Sequence, residues 1–500
     1  MKVRLMYPTQ DFDAEAPLPW QAEALRQDLG LTPIVRAMAR DDKFLADLVP
    51  RALLRSVDDP EIIRFRQAIL QDCRRHPDVV RAIYRLPIEA LEKKREQWLG
   101  IFSHHPSGIL SSAVEMLAMF IDLLRRLRRM ADAHAADFES EGFRRFFAMI
   151  QAELNEPYFN EMEAHLQALK LRQGVLLSAR LGPGNEGVDY TLRRPRPSEQ
   201  PRFKQWLTRR PKSCGFTIPP RDNYGARALE EIKNRGLNLV ANAVAQAAEH
   251  VDQFFQRLRI ELAFYIAALN LEERLAALGL PVAFPEPLPP EMGRLQAQGL
   301  YDLGLALTLA RPVVSNDLHA NGKRLLVITG ANQGGKTTFL RSLGLAQLMM
   351  QAGLFVPAEA FQASVCTGLF THYRREEDRT LESGKFDEEL GRMEAIVDHL
   401  RPFSMVLLNE SFAATNEREG SEIARQIVLA LLEAQVRVVF VTHLSDFAQT
   451  LYAQKRADTL FLRAERLPDG SRTFKIVPGE PLATSFGEDL YRQIFGEPLA

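Results

Sequence analysis

The spacing of apolar and polar positions along the chain changes several times, and each change marks a different architecture. From residue 20 to about 173 apolar residues recur three and four apart, as in Ile62, Ile63, Phe65 and Ile69 and again in Val114, Leu117, Ile121 and Leu124, which predicts amphipathic helices. Residues 174–191 turn to short strand-like runs, GVLLSARL and VDYTL, around a Gly-Pro-Gly turn. They predict a hairpin inserted in the helical region. From Leu237 to Leu278 one stripe, Val240, Val244, Ala247, Val251, Phe254, Leu258, Leu262, Tyr265 and Leu269, steps by four and three. At ~1.5 Å per residue that is one helix roughly 60 Å long. It runs into LPVAFPEPLPP (280–290), whose prolines predict a stiff linker. Beyond that point short apolar runs alternate with helical patterns, as in an α/β domain. The expected organisation is a helical domain over 1–173, a basic insertion over 174–236, a long helix and linker over 237–290, and an α/β domain over 291–500.

Composition adds two constraints. Five hundred residues exceed what one hydrophobic core serves, and a net charge of −1 means that an anionic partner must be met by a local patch. Such a patch exists. Between 193 and 221, Arg193, Arg194, Arg196, Arg202, Lys204, Arg209, Arg210, Lys212 and Arg221 stand against Glu199 alone, with Phe203 and Trp206 among them. Phosphate contact and a solvated loop are both consistent with it. RRLRR at 125–129 lies in a helical pattern and reads as a solvated face. Cys73, Cys214 and Cys366 are odd in number and widely spaced, which fits reduced thiols rather than disulfides or zinc, and the pair His104 and His105 lacks further ligands at metal-site spacing. MKVRLMYPTQDFD has no apolar run of signal-peptide length, and VEMLAMFIDLL (114–124) carries two acids and is too short to span a bilayer. A cytoplasmic protein without membrane contact is expected.

The chemistry gathers in the last two hundred residues. In RLLVITGANQGGKTTFLRSLGLAQLMM (324–350), Gly330, Gly335, Lys336 and Thr337 form Gly-x-x-x-x-Gly-Lys-Thr between an apolar strand and an amphipathic helix. The loop Gly330, Ala331, Asn332, Gln333, Gly334, Gly335 and the helix start Lys336, Thr337, Thr338 are expected to cradle the phosphates of a nucleotide. Lys336 would pair with the β and γ phosphates, and the Thr337 hydroxyl would ligate Mg²⁺. A second strand, VLLNESF (406–412), ends in Asn409 and Glu410 where nucleotide hydrolases usually carry two acids. Glu410 is the candidate base that orients water. A third strand, VRVVFVTH (436–443), sets Thr442 and His443 at its carboxyl end, where His443 is either a γ-phosphate sensor or a structural histidine.

In order, GANQGGKTTFLR, GLFVPAE (353–359), LLNES with Thr415 and Gly420, and FVTHLSDF (440–447) resemble the MutS family of ABC-type ATPases involved in DNA mismatch repair. ARPVVSND (310–317) and TSFGEDLYRQIFGEP (484–498) also fit its pattern; before residue 300 the similarity is of architecture only, to the family's core, clamp and lever. The resemblance implies an ABC-type P-loop ATPase domain, ATP with Mg²⁺, DNA held by a dimeric clamp (duplex or branched), and a homodimer whose two sites are completed in trans. The chain departs from the family where mismatch-binding and connector domains would precede the core. It departs again at Asn409, where the family has an aspartate holding magnesium through a water. An asparagine oxygen still accepts from that water but lacks the charge, so slow turnover is expected. Counting back from Asn409, Gly384 falls on the family's signature serine, so a contact from Ser383 to the neighbour's γ-phosphate is shifted by one residue. Phe412, Ala413 and Ala414 replace a glycine-rich stretch, which implies a stiffer loop facing the partner. The alternative reading is a non-hydrolysing, nucleotide-gated DNA-binding scaffold.

Overall fold

A computed structural model describes residues 1–98, 105–172, 174–194, 214–374, 384–467 and 470–481. The helical half opens with α1 (Ala22–Asp28), α2 (Thr32–Ala39), α3 (Lys43–Leu54) and α4 (Pro60–Arg75). It continues with α5 (Pro77–Trp98), α6 (Pro106–His134), α7 (Glu141–Glu153) and α8 (Glu156–Leu169). The hairpin follows as β1 (Leu177–Leu181) and β2 (Gly187–Leu192), paired antiparallel, and then the long helix α9 (Asn223–Ala277). Strands β3 (Glu286–Leu288) and β4 (Leu295–Leu300), helix α10 (Leu303–Leu309), and strands β5 (Asn316–His319) and β6 (Leu325–Thr329) come next. After them run α11 (Lys336–Ala352), β7 (Ala360–Ser364), β8 (Leu369–Tyr373), α12 (Lys385–Val397) and β9 (Met405–Asn409). The order closes with α13 (Glu417–Glu433), β10 (Arg437–Val441), α14 (Ser445–Ala453), β11 (Thr459–Arg466) and β12 (Arg472–Pro478).

Two compact units emerge, and their cut differs from the four segments expected. One comprises Met1–Val3, Arg81–Asp137 and Arg144–Arg259; the other comprises Arg4–Val80, Phe138–Phe143 and the described residues from Ile260 onward. In the first unit α6 buries Leu117, Phe120, Ile121 and Leu124, and Phe120 meets Phe255 of α9 at 5.6 Å between rings. Helix α6 is long and apolar enough to cross a membrane by length and composition. Its apolar face is nonetheless a core face here, and Arg125 and Arg126 on it pair with Glu163 and Glu89. Arg128 pairs with Asp132, and Arg129 is exposed, so the RRLRR run is a surface face whose arginines are partly paired with acids.

The second unit is built on a six-stranded sheet of order β12-β11-β6-β10-β9-β8, parallel except for β12. LLVIT, MVLLN and RVVFV are nearly uninterrupted apolar runs because both faces of these strands are covered. On one face Val406, Leu408, Val438 and Phe440 pack with Val428 and Leu432 of α13 and Phe447 and Leu451 of α14. On the other, α11 comes so close at Gly344 that a Cβ there would sit 2.4 Å from Leu407, so glycine is required by the approach. Helices α3 and α4 pack on α11, α2 on α10 and α1 on β8, which draws residues 4–80 into the α/β unit.

The proline-rich stretch 280–290 is not a linker. Its residues 286–288 form β3, the edge strand of a second sheet of order β3-β7-β4-β5, and Ala283 bridges Val356. An edge position tolerates Pro287, whose missing N–H costs no ladder bond there. Helix α9 also starts earlier than its stripe, at Asn223 rather than Leu237, and its 55 residues rise ~80 Å. Within the second unit the carboxylate of Glu261, fully buried, accepts from the backbone N–H groups of Leu5 (2.8 Å), Met6 (2.6 Å) and Phe12. Arg66 donates to Met6 O at 2.8 Å and Tyr265 to Leu5 O at 2.6 Å, so residues 4–12 are strapped down by buried polar side chains.

Candidate nucleotide site

The Gly330–Gly335 loop joins β6 to α11, and two of its glycines are needed for their backbone. Gly330 (φ 110°) and Gly335 (φ 90°) lie in the left-handed half of the map, and a Cβ on Gly330 would press within 3.0–3.3 Å of Ala464 on β11. Lys336 is buried at the first turn of α11, and its Nζ donates to Gly330 O and Ala331 O, both at 2.9 Å. Burial, partly opposed by Glu410 and assisted by Arg472, brings its pKa down to about 8. Thr337 Oγ1 donates to Asn409 Oδ1 at 3.0 Å. The first turn of α11 and the end of β9 therefore meet side chain to side chain.

Glu410 follows Asn409 with φ 54°, and its N–H donates to Val441 O at 2.8 Å. His443 Nε2 lies 3.3 Å from Glu410 Oε1. The hydrogen bond from His443, with the nearby charges of Lys336 and Arg374, holds the carboxyl below its ordinary range against the pull of burial. Glu410, Asn332 to Phe339 and Ser342 border a cavity of 580 Å³. Its far wall is Leu305 and Leu309 of α10, Pro312 to Val314, and Phe474 of β12. One end thus carries the loop and the Lys336 and Glu410 side chains, while Leu305, Leu309, Val313, Val314 and Phe474 give the rest an apolar surface broken by Asp302, Arg311 and Asn316. That division suits a molecule with phosphates at one end and a flat apolar ring at the other.

Among the expected residues, Lys336, Thr337, Asn409, Glu410 and His443 are connected by the contacts above. Thr338, Asn332, Gln333, Gly334 and Gly335 line the cavity, while Gly330 and Ala331 contribute the carbonyls under Lys336. Ser383 lies outside the described residues; Gly384 is the N-cap of α12, and Phe386 packs on the apolar core. Phe412 does not face outward: its ring is fully buried and stacks on His372 at 5.5 Å. Arg193 and Arg194 are exposed at the end of β2, where Arg193 Nε donates to Ser178 Oγ at 2.8 Å. Arg196, Arg202, Lys204, Arg209, Arg210 and Lys212 lie outside the described residues. Arg472 and Phe474 had no sequence signal. Arg472 donates to Gln333 Oε1 at 3.3 Å from a strand 139 residues along, a contact only the tertiary fold creates.

Comparison with known proteins gives two family matches. Residues 326–492 match the family model of MutS domain V, and residues 58–278 match that of the MutS2 N-terminal domain. The chain belongs to the MutS family. The second match extends the kinship, by sequence, into the helical half that had shown likeness of architecture only. Among curated relatives of this MutS-family chain, the DNA mismatch repair protein MutS of Chloroflexus aurantiacus is 33% identical over 226 residues, 44% of this chain and 23% of that protein. That of Synechococcus elongatus is 33% identical over 149 residues, 30% of this chain and 17% of that protein. MutS protein homolog 4 of Mus musculus is 28% identical over 170 residues, 34% of this chain and 17% of that protein. The matched stretches thus span about a fifth of these relatives' length.

A charge-linked test follows from Lys336. With its pKa at about 8 in the free site and raised by bound phosphates, nucleotide binding should take up a proton, increasingly so between pH 7 and 9. At pH 8.5 the expected uptake is roughly three quarters of a proton. Titration calorimetry in buffers of different ionisation enthalpy measures it, and heats independent of buffer at that pH would refute it.

Proposed function

We propose that this chain binds ATP with Mg²⁺ in the cavity between the Gly330–Gly335 loop and β9, hydrolyses it slowly, and uses that cycle as a dimer to hold DNA. The observation that carries the proposal is the 3.0 Å bond between Thr337 Oγ1 and Asn409 Oδ1, with Glu410 next in the chain. Two oxygen donors at that distance suit an ion that takes few protein ligands and completes its shell with water and phosphates. Mg²⁺ held by Thr337, and through water by Asn409, would neutralise charge on the phosphates. Lys336, already desolvated, would exchange its two carbonyl acceptors for phosphate oxygens. Glu410, kept ionised by His443, would accept hydrogen from the attacking water and orient it.

DNA as partner is supported by the relatives' names and by the cations at the end of β2 and in the segment that follows it. Dimerisation and the contact of Ser383 with a neighbour's phosphate rest on family resemblance, and a cytoplasmic location is proposed with them. Asn409 favours one second reading, an ATP-gated scaffold that holds DNA without turnover, because the asparagine brings no negative charge to the metal.

The Asn409→Asp variant tests the proposal. It is expected to lower the Mg²⁺ concentration for half-maximal turnover by about tenfold, the effect of restoring one charge near the ion. Turnover by the unaltered chain at saturating Mg²⁺ supports slow hydrolysis. Turnover by Asn409→Asp alone would replace it with the scaffold.

A further inference from the structure

The β11–β12 hairpin lies directly against the Gly330–Gly335 loop. A Cβ on Gly334 would sit 2.7 Å from Ala464 Cβ, and one on Gly335 would sit 3.4 Å from Phe474 O. Just past Ala464 the strand pairing slips: Ala464 pairs with Ile476 but Arg466 with Arg472, so the ladder advances two residues on β11 and four on β12. The extra residues bulge, with Phe474 left-handed at φ 59°. A bulge beside a site re-aims the side chains it carries. This one is held from two sides, since Asn316 Oδ1 accepts from Ile476 N at 2.7 Å and Thr473 Oγ1 donates to Glu465 Oε2 at 2.8 Å. It brings Phe474 to the cavity wall and Arg472 to the loop.

Arg472 is poorly matched by what surrounds it. Among the described residues its guanidinium makes one hydrogen bond, from Nη1 to Gln333 Oε1 at 3.3 Å, and that partner is a neutral amide that itself lines the cavity. Its Nε is buried with no hydrogen-bond partner among them. Glu465, on the facing strand, is engaged by Thr473 instead. A guanidinium has five N–H donors and keeps its charge, so a buried N–H without an acceptor weakens the free fold. Lys336 adds a second positive charge at the same loop, and besides burial the charge of Arg472 helps to lower the Lys336 pKa. Two neighbouring cations and an N–H lacking an acceptor are met together by an anion rich in oxygens.

We propose that Arg472 is a phosphate-binding residue of the nucleotide site, supplied by the same chain from the β12 bulge: with nucleotide bound, its guanidinium turns from Gln333 to a phosphate oxygen and shares the phosphate charge with Lys336. The inference rests on the nucleotide-binding part of the reading above and is independent of hydrolysis. Gln333 is the resting partner, and its bond is readily exchanged, being neutral and longer than an ordinary N–H···O contact.

The test is titration calorimetry of the full-length chain with Mg²⁺ and an ATP analogue whose β–γ bridge is an imido group. The unaltered chain is compared with Arg472→Gln, Arg472→Met, Arg472→Lys and Lys336→Ala, and the melting of each free protein is recorded. Arg472→Gln and Arg472→Met are expected to weaken affinity roughly ten- to hundredfold, the loss of one charge-assisted hydrogen bond. Arg472→Lys, which keeps the charge without the fork, should weaken it less. Melting of the free variants should hold level or rise, because the N–H that lacks an acceptor is gone. Affinity within about twofold of the unaltered chain in Arg472→Gln and Arg472→Met would overturn the inference. Equal losses in all three Arg472 variants with lower melting would overturn it too, since they mark a residue that only holds the hairpin in place. Should Arg472→Gln fail to fold, Arg472→Met, which keeps the packing of the stem, decides. If the unaltered chain binds no more tightly than Lys336→Ala, the nucleotide reading itself fails and Arg472 falls with it. If Lys336→Ala alone weakens binding, the nucleotide reading stands and only the role of Arg472 falls.

Discussion

Replacing Glu410 with glutamine is expected to cut ATP turnover at least about a hundredfold while leaving ATP affinity within about threefold. The side chain keeps its shape and can still meet His443, 3.3 Å away, so the cavity is little disturbed. What disappears is the charge that accepts hydrogen from water. Lys336 loses the neighbour that raises its pKa, which further lowers it in the free site. That shift should weaken binding slightly at pH 8 and above. Rapid-mix single-turnover experiments with Mg²⁺ and a fluorescent ATP analogue separate the two effects. A variant as fast as the unaltered chain would remove Glu410 from the reaction.

Glutamine at position 261 is expected to cost stability, about 2–4 kcal/mol, through a different mechanism. Three N–H groups, of Leu5, Met6 and Phe12, converge on one buried carboxylate. An amide offers one accepting oxygen and turns its own N–H₂ toward the remaining donors. Burial raises the Glu261 pKa from 4.5 to about 7 against the pull of those three bonds. With the folded pKa above the unfolded one, the folded chain keeps a proton that the unfolded chain has lost between pH 4.5 and 7. The contribution of Glu261 is therefore complete at or below pH 4.5, falls as pH rises to 7 and is flat beyond. The difference between Glu261→Gln and the unaltered chain should be largest at the acid end of that window. Urea unfolding at pH 5 and pH 8 measures it, and a difference that grew toward pH 8 would contradict the assignment.

Why Glu261 escaped notice in the sequence is instructive. It lies beside Leu262 on α9 and reads as an ordinary polar position, because its partner Leu5 is 256 residues away. The nucleotide loop was legible for the opposite reason, since strand, glycines, lysine and helix are contiguous and each residue's role follows from local geometry. The start of α9 was hidden because residues 223–236 have no apolar stripe; Glu231 and Arg235, one turn apart, pair across that exposed stretch instead. Strand β3 was hidden by prolines that only an edge position excuses. Phe412 defied expectation because a phenylalanine at positive φ runs against local propensity, and only a buried partner such as His372 makes it affordable. The division of the first 173 residues between two units follows from which helices meet α10 and α11, which amphipathic periodicity does not encode.

The central claim is that this MutS-family chain hydrolyses ATP at Glu410 and links that cycle to DNA. Its most direct test is steady-state ATP turnover by the full chain at saturating Mg²⁺, with and without duplex DNA, with Glu410→Gln as the blank. The account predicts slow turnover well above the blank that changes when DNA is added. Turnover equal to the blank in both conditions would contradict it.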